Sequence, residues 1–458
     1  MVSNKTFDEI QVGDSVSVTR TLTQKDINLF GMLSGDTNPT HFSDEYAKEL
    51  LERQKLCGHS MWGGSLISGL LGTELPGPGT VYKSQNLEFH AGVELGDELT
   101  VTITVKEKIS GDKDIVFDCL ALNQRGEKII TGIARVKAPM VKPSADIKVR
   151  AANVFQRFIH KCTELEPISV AVCHPCSPDA LAGPIEAAER ELIWPILVGP
   201  QDKIRAVAEK EGIDIGSYRI VDTKHSHESA AVSVALCRSG ETEALMKGSL
   251  HTDELMREVA SKEKGLRTER RISHVFIMNV PTYHRPFLIT DAAINIYPTL
   301  EDKVDILKNA IELAHALGME MPKVAILSAV ETVYPKIPST IEAAALCKMA
   351  DRGQITGAII DGPLAFDNAI SKEAALVKGI NSPVAGEADI FLVPDLEAGN
   401  MLAKQLTYLM EADSAGLVMG ARVPIILTSR ADSAEARLAS CAVAVALVHA
   451  RRFGKSAF

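Results

Sequence analysis

The hydrophobic period of this sequence changes once, near residue 140, and that change constrains the fold more than any other feature. Upstream, Leu99, Val101, Ile103 and Val105 alternate with Thr100, Thr102 and Thr104. A period of two marks a half-buried antiparallel strand. Segments 115–122 and 128–136 continue in the same style, joined by the turn Asn123-Gln124-Arg125-Gly126. Downstream, short apolar runs alternate with amphipathic helical stretches. The strand candidates there are 168–173, 195–198, 275–279, 324–328, 358–361, 390–393 and 425–428, with helices such as 302–317 and 341–349 between them. That order is α/β, with a mostly parallel sheet and crossover helices. Pro139, Pro143 and scattered charges make residues 139–151 the natural linker. The expected organisation is an α+β domain over 1–138, a linker over 139–151 and an α/β domain over 152–458. No internal repeat complicates it.

Ahead of the first strands the patterns are helical. Thr23 and Asp26 form a capping-box pair opening a helix through Leu33. Segment 61–71 is apolar, yet Gly63, Gly64, Gly69 and Gly72 fall in or beside it. Glycine is a poor helix former, so these four predict a helix that a sheet approaches closely.

A chain of 458 residues exceeds one ordinary core, in keeping with two domains. A net charge of −10 argues against broad nucleic-acid binding. The N-terminus lacks the apolar core of a secretion signal, and the apolar stretch 439–450 is too short to span a bilayer. Eight cysteines without a disulfide-scaffold spacing suit a reducing cytoplasm. No nucleic-acid or membrane partner is expected.

The first informative string is Phe30-Gly31-Met32-Leu33-Ser34-Gly35-Asp36-Thr37-Asn38-Pro39-Thr40-His41. Alone, Gly35-Asp36 and Asn38-Pro39 are turn formers that end a helix. The whole string, with Gly63-Gly64-Ser65-Leu66-Ile67-Ser68-Gly69 and Gly92-Val93-Glu94-Leu95-Gly96-Asp97, resembles the MaoC-like hydratases of hot-dog fold over residues 8–138. The resemblance implies an (R)-specific enoyl-CoA hydratase with Asp36 and His41 as its acid–base pair. It further implies Asn38, Met61, Gly63 and Ser68 at the substrate, and a backbone N–H donor just after His59. There the chain departs from the family, with Ser60 where a glycine is usual. Hydration suits such a pair: water must lose a proton while the α-carbon gains one, and the enolate needs fixed donors.

In the second half, Leu245-Met246-Lys247-Gly248, Asp291-Ala292-Ala293-Ile294-Asn295, Asp361-Gly362-Pro363-Leu364-Ala365-Phe366-Asp367 and Glu397-Ala398-Gly399-Asn400 stand out. With Pro424-Ile425-Ile426-Leu427-Thr428-Ser429-Arg430 they resemble phosphate acetyl- and butyryltransferases from about residue 152 onward, leaning to the butyryl type. The implied fold has two subdomains around a cleft. The implied reaction is reversible: acyl-CoA plus phosphate gives acyl phosphate plus CoA. Ser429 and Arg430 are the expected catalytic residues, since arginine recognises phosphate bidentately and a helix N-terminus adds a favourable field. Lys247, Asn295, Asp361, Gly362, Pro363, Gly399 and Asn400 are the expected substrate contacts. Acetyl-type enzymes carry an aspartate six positions after the motif arginine; Ala436 stands there instead. Glu435 is adjacent, but Asp432-x-x-Glu435 reads as a capping box, so the thiol base stays unassigned.

CoA thioesters and phosphate serve as substrates, and neither cofactor nor metal is implied. Cys173-His174-Pro175-Cys176 lacks a second ligand pair and is read as a structural turn. Three functions compete. The leading one joins hydratase to phosphate acyltransferase, as a homo-oligomer by resemblance. The second keeps only the transferase, with the hot-dog domain a binding or oligomerisation module or a thioesterase. The third is a non-catalytic CoA-ester sensor.

Overall fold

The computed structural model describes residues 4–51, 56–142, 154–427, 433–454 and 456. The chain divides into two compact units, Met1–Val149 and Arg150–Phe458. Most of the expected linker lies outside the described residues.

The first unit is one five-stranded sheet around one helix. Its strands are β1 (Ser15–Thr21), β2 (Val81–Phe89), β3 (Glu98–Ile109), β4 (Asp114–Asn123) and β5 (Lys128–Lys137), in the order β1-β3-β4-β5-β2 with every pairing antiparallel. Its helices are α1 (Gln24–Ser34), α2 (Asp44–Leu51) and α3 (Ser60–Thr73). The alternation over 99–105 is β3, whose Leu99, Val101, Ile103 and Val105 are buried. They pack with Trp62, Ile67, Leu70 and Leu71 of α3 in one core. The outward threonines pair with β1 instead: Ser17 Oγ lies 2.7 Å from Thr102 Oγ1, and Thr19 Oγ1 lies 2.9 Å from Thr100 Oγ1. β1 was not anticipated, because it carries only two apolar side chains. Thr23 and Asp26 do form the reciprocal capping box.

The glycine expectation holds for half of its cases. A Cβ on Gly63 would stand 2.7 Å from Ile130 Cδ1, and one on Gly64 would stand 3.2 Å from Leu87 Cδ1. Gly69 and Gly72 face open space. The tightest glycine is elsewhere: a Cβ on Gly132 of β5 would lie 2.1 Å from the Asn86 carbonyl oxygen of β2. Backbone cannot yield as a side chain does, so Gly132→Ala is expected to cost about 1–3 kcal/mol. A urea midpoint unchanged from the parent protein would contradict this.

The second unit carries an eleven-stranded mixed sheet. Its strands are β6 (Ile168–Cys173), β7 (Ile193–Gly199), β8 (Arg219–Asp222), β9 (Ala244–Lys247), β10 (Ser273–Asn279) and β11 (Phe287–Thr290). After them come β12 (Lys323–Leu327), β13 (Ile359–Leu364), β14 (Ile390–Leu392), β15 (Asp413–Met419) and β16 (Ile425–Ile426). The order is β13-β12-β14-β11-β10-β15-β16-β9-β6-β7-β8. Seven of the ten pairings are parallel. The antiparallel ones flank β10 on both sides and join β15 to β16. This is the expected mostly parallel α/β sheet. The helix Ala434–Phe453 threads its core, buried continuously from Arg437 to His449.

Candidate active sites

In the first unit, α1 ends at Gly35, whose φ of 74° is left-handed and turns the chain sharply. The next residues make a tight loop. Asn38 N–H donates to Asp36 Oδ1 at 3.2 Å, and Asn38 Oδ1 caps the single turn Pro39–His41 by accepting from Thr40 N–H. Asn38 therefore shapes the loop, and its side chain is exposed.

The loop brings Asp36 and His41 together. His41 Nδ1 lies 2.8 Å from the Cys57 carbonyl oxygen, and a carbonyl can only accept. Nδ1 thus carries the proton, and in the neutral ring Nε2 is a bare lone pair. That lone pair faces Asp36 Oδ2 across 4.0 Å. Two acceptors facing across such a gap are bridged best by a molecule with two donor hydrogens, which is water. His59, 4% exposed, points its Nε2 at the Asp36 carbonyl oxygen at 2.9 Å and fixes the loop from beneath.

Asp36, His41 and His59 bring ligand-capable atoms within 4.8 Å of one another. The two imidazoles lie with centroids 4.0 Å apart and planes tilted 34°. His59 Nε2 is already committed to the Asp36 carbonyl oxygen. The set suits proton transfer.

Helix α3 starts at Ser60 with no side-chain cap from His59, so its first N–H groups are offered outward, as an oxyanion site requires. Ser60 and Met61 are exposed there. Gly63 and Ser68 lie further along α3. Gly63 is buried against the sheet for packing, and Ser68 is an exposed residue with no hydrogen bond to the pair among the described residues.

The second unit holds a cleft of about 650 Å³ beside the central strands β10 and β15. Lys247 closes β9 on its wall, and Asn400 and Lys404 reach it from the helix Leu396–Leu409. Ser429 and Arg430 lie outside the described residues; the described neighbours on either side, Leu427 and Ser433, both line this cleft. The helix beyond is capped by Ser433, which accepts from Ala436 N–H at 3.1 Å. The expected Asp432/Glu435 box is therefore corrected: Asp432 lies outside the described residues, and Glu435 faces the cleft with its Oε1 bonded to Gln156 Nε2 at 2.5 Å.

The structure places three further expected contacts as follows. Asp361, Gly362 and Pro363 lie within β13 at the sheet's outer edge, and they are not on the cleft wall. A Cβ at Gly362 would stand 2.8 Å from the Ile326 carbonyl oxygen, so strand packing dictates this motif. Asn295 is buried and saturated, donating to the Ile272 carbonyl and Asp291 while accepting from Arg271 Nε at 2.8 Å. Gly399 is held by packing, since a Cβ there would approach Val393 and Ala292 within 3 Å. Asn400 keeps its place on the wall, with Nδ2 donating to the Ala292 carbonyl at 3.1 Å.

The Cys173-His174-Pro175-Cys176 turn finds its reason beside Lys247. His174 is left-handed at φ 56°, and a Cβ on Gly248 would strike the Cys173 carbonyl oxygen at 2.4 Å. The turn thus seats Lys247-Gly248. Burial pushes the Cys173 and Cys176 thiols up to about 12 and about 11, where neither is a thiolate near neutral pH. Local pattern gave no sign of His251 and His274, which also line the cleft.

A hot-dog unit and an α/β unit with a cleft define a chain built from two domains. Residues 227–445 match the phosphate acetyl/butaryl transferase family, and residues 9–120 match the MaoC like domain. A phosphate acetyltransferase of Rhizobium meliloti is 65% identical over 298 residues, covering 65% of this chain and 94% of that protein. A phosphate butyryltransferase of Clostridium acetobutylicum is 43% identical over 284 residues, covering 62% of this chain and 94% of that protein. The structure of a branched-chain phosphotransacylase from Enterococcus faecalis V583 superposes with a TM-score of 0.55 at 32% identity, covering 62% of this chain and 99% of that one. The chain belongs to the phosphate acetyl/butyryltransferase family and carries a MaoC-like hot-dog domain ahead of it. The lean toward butyryl-type relatives is corrected by these identities, which are higher for the acetyltransferase. No described helix is long and apolar enough to cross a membrane.

Proposed function

We propose that this chain performs two reactions on acyl-CoA esters. The first unit hydrates 2-enoyl-CoA to (R)-3-hydroxyacyl-CoA; the second exchanges an acyl group between CoA and phosphate. The observation that carries the hydratase reading is the 4.0 Å gap between two acceptors, His41 Nε2 and Asp36 Oδ2. A water held there presents its oxygen to the β-carbon while His41 takes a proton. The enolate oxygen meets the free N–H groups at the start of α3, and a proton is returned to the α-carbon.

The test is direct. The purified protein should bleach the enoyl absorbance of crotonyl-CoA. No loss of absorbance, or equal loss after Asp36→Asn, would sink the reading and favour a binding module. Ser60 sits beside the donor groups, so Ser60→Gly is expected to raise kcat/KM for hydration several-fold. A lower value in that variant would mean that the hydroxyl helps rather than hinders.

For the second unit, family membership and the cleft beside Leu427 and Ser433 support phosphate-dependent release of CoA from acetyl- or butyryl-CoA, with Ser429 and Arg430 at the phosphate. Release that ignores phosphate would point to a thioesterase. The reading includes a homo-oligomer in the cytoplasm, on the resemblance alone; light scattering at assay concentration tests the assembly.

A further inference from the structure

His274 lies on β10 between two antiparallel neighbours, opposite Val418 of β15. With Phe276, two residues on and 4.3 Å away ring to ring, it lines the acyltransferase cleft. It is 1% exposed, and its Nδ1 has no hydrogen-bond partner among the described residues. Leaving a buried polar atom unsatisfied is costly, a penalty an apolar side chain at this position avoids. The sheet has also made room for the ring. A Cβ on Gly416 of β15 would stand 2.8 Å from His274 Nε2 and 3.0 Å from Cε1.

The two nitrogens are not equivalent. A sealed, bare acceptor is tolerated more readily than a sealed N–H, so the proton belongs on Nε2 rather than on the enclosed Nδ1. We propose that His274 Nε2–H donates to the carbonyl oxygen of the bound acyl thioester and holds the oxyanion formed during acyl transfer. This rests on reading the cleft as the acyl-transfer site.

In that step an oxygen of hydrogen phosphate bonds to the carbonyl carbon, and the C=O π pair moves onto the oxygen facing His274. The pair then returns, and the C–S bond breaks with its electrons on sulfur. The proton given up by hydrogen phosphate reaches that sulfur, so acyl phosphate and CoA thiol are the only products. His274 neither gains nor loses a proton. Burial pushes its imidazole down to about 4, far below the ordinary thiol value of about 8.5. Such a ring is a poor base for a thiol, but it is reliably neutral and a sound donor, and preorganised donors of this kind contribute most where water is excluded.

The test compares His274→Leu with His274→Gln, whose amide nitrogen can stand near the position of Nε2. Each variant is assayed for phosphate-dependent CoA release from acetyl-CoA, with acetyl-CoA affinity measured by calorimetry. His274→Leu should lower kcat by about a hundred- to a thousandfold, with phosphate KM and acetyl-CoA Kd changed only a few-fold. His274→Gln should recover at least tenfold of that loss. Because a core variant can fail to fold, the parent protein supplies a second reading: isotope-edited infrared spectra of bound [1-13C]acetyl-CoA should show the carbonyl stretch lowered relative to free thioester. Turnover in His274→Leu within twofold of the parent, or an unshifted carbonyl, overturns the assignment. A parent protein that releases no CoA in response to phosphate overturns the acyl-transfer reading and this inference together.

Discussion

Asp36→Asn is expected to lower kcat for crotonyl-CoA hydration by about a hundred- to ten-thousandfold, the span typical of losing a general acid–base group. The change is nearly isosteric. Asn keeps an oxygen able to accept from Asn38 N–H, as Asp36 Oδ1 does, so the loop is retained. What changes is the other atom. An acceptor facing His41 Nε2 at 4.0 Å becomes an amide donor, which can bond that lone pair directly and leave no place for a bridging water. Affinity for CoA esters should change little, because the donors at the start of α3 are untouched. His41→Ala should cost a similar factor, and the double variant little more than either single one, since the two side chains act on one water. Additive losses would mean that they serve separate steps.

Arg430→Ala is expected to remove most phosphate-dependent CoA release, by about a hundred- to a thousandfold, with a higher KM for phosphate. Lysine should not rescue it. An ammonium supplies the charge but not the two parallel N–H donors that match a phosphate edge. Arg430 belongs to the family-like sequence string, and Leu427 and Ser433 to either side of it both line the cleft that also receives Lys247. Arg430→Lys with near-parental turnover would show that charge alone suffices.

The fold was legible where one face of an element is buried and the other is wet. β3 is the clearest case, since its alternation is the direct imprint of α3 on one side. β1 left no such imprint because its outward face is a hydroxyl ladder to β3, and Ser/Thr-rich runs look like loops. β15 was also missed: Asp413, Ser414 and Gly416 break its apolar run, the first two on the cleft wall and the last beneath His274. For the sites, Asp36 and His41 were legible because five residues of chain bring them together. The Asp361-Gly362-Pro363 motif is harder to read, because glycine and proline at a strand end look the same whether they serve a ligand or a crowded neighbouring strand. His274 could not be read locally at all. Its significance depends on Gly416, on Phe276 and on a cavity, and only one of these is near it in sequence.

The central claim is that two independent acyl-CoA reactions reside on one chain. A crossed pair of variants tests it most directly, with the intact protein, Asp36→Asn and Arg430→Ala each assayed for crotonyl-CoA hydration and for phosphate-dependent CoA release. Asp36→Asn should lose hydration and keep acyl transfer, and Arg430→Ala should do the reverse. Loss of both activities in either variant, or hydration that survives Asp36→Asn, would contradict the account.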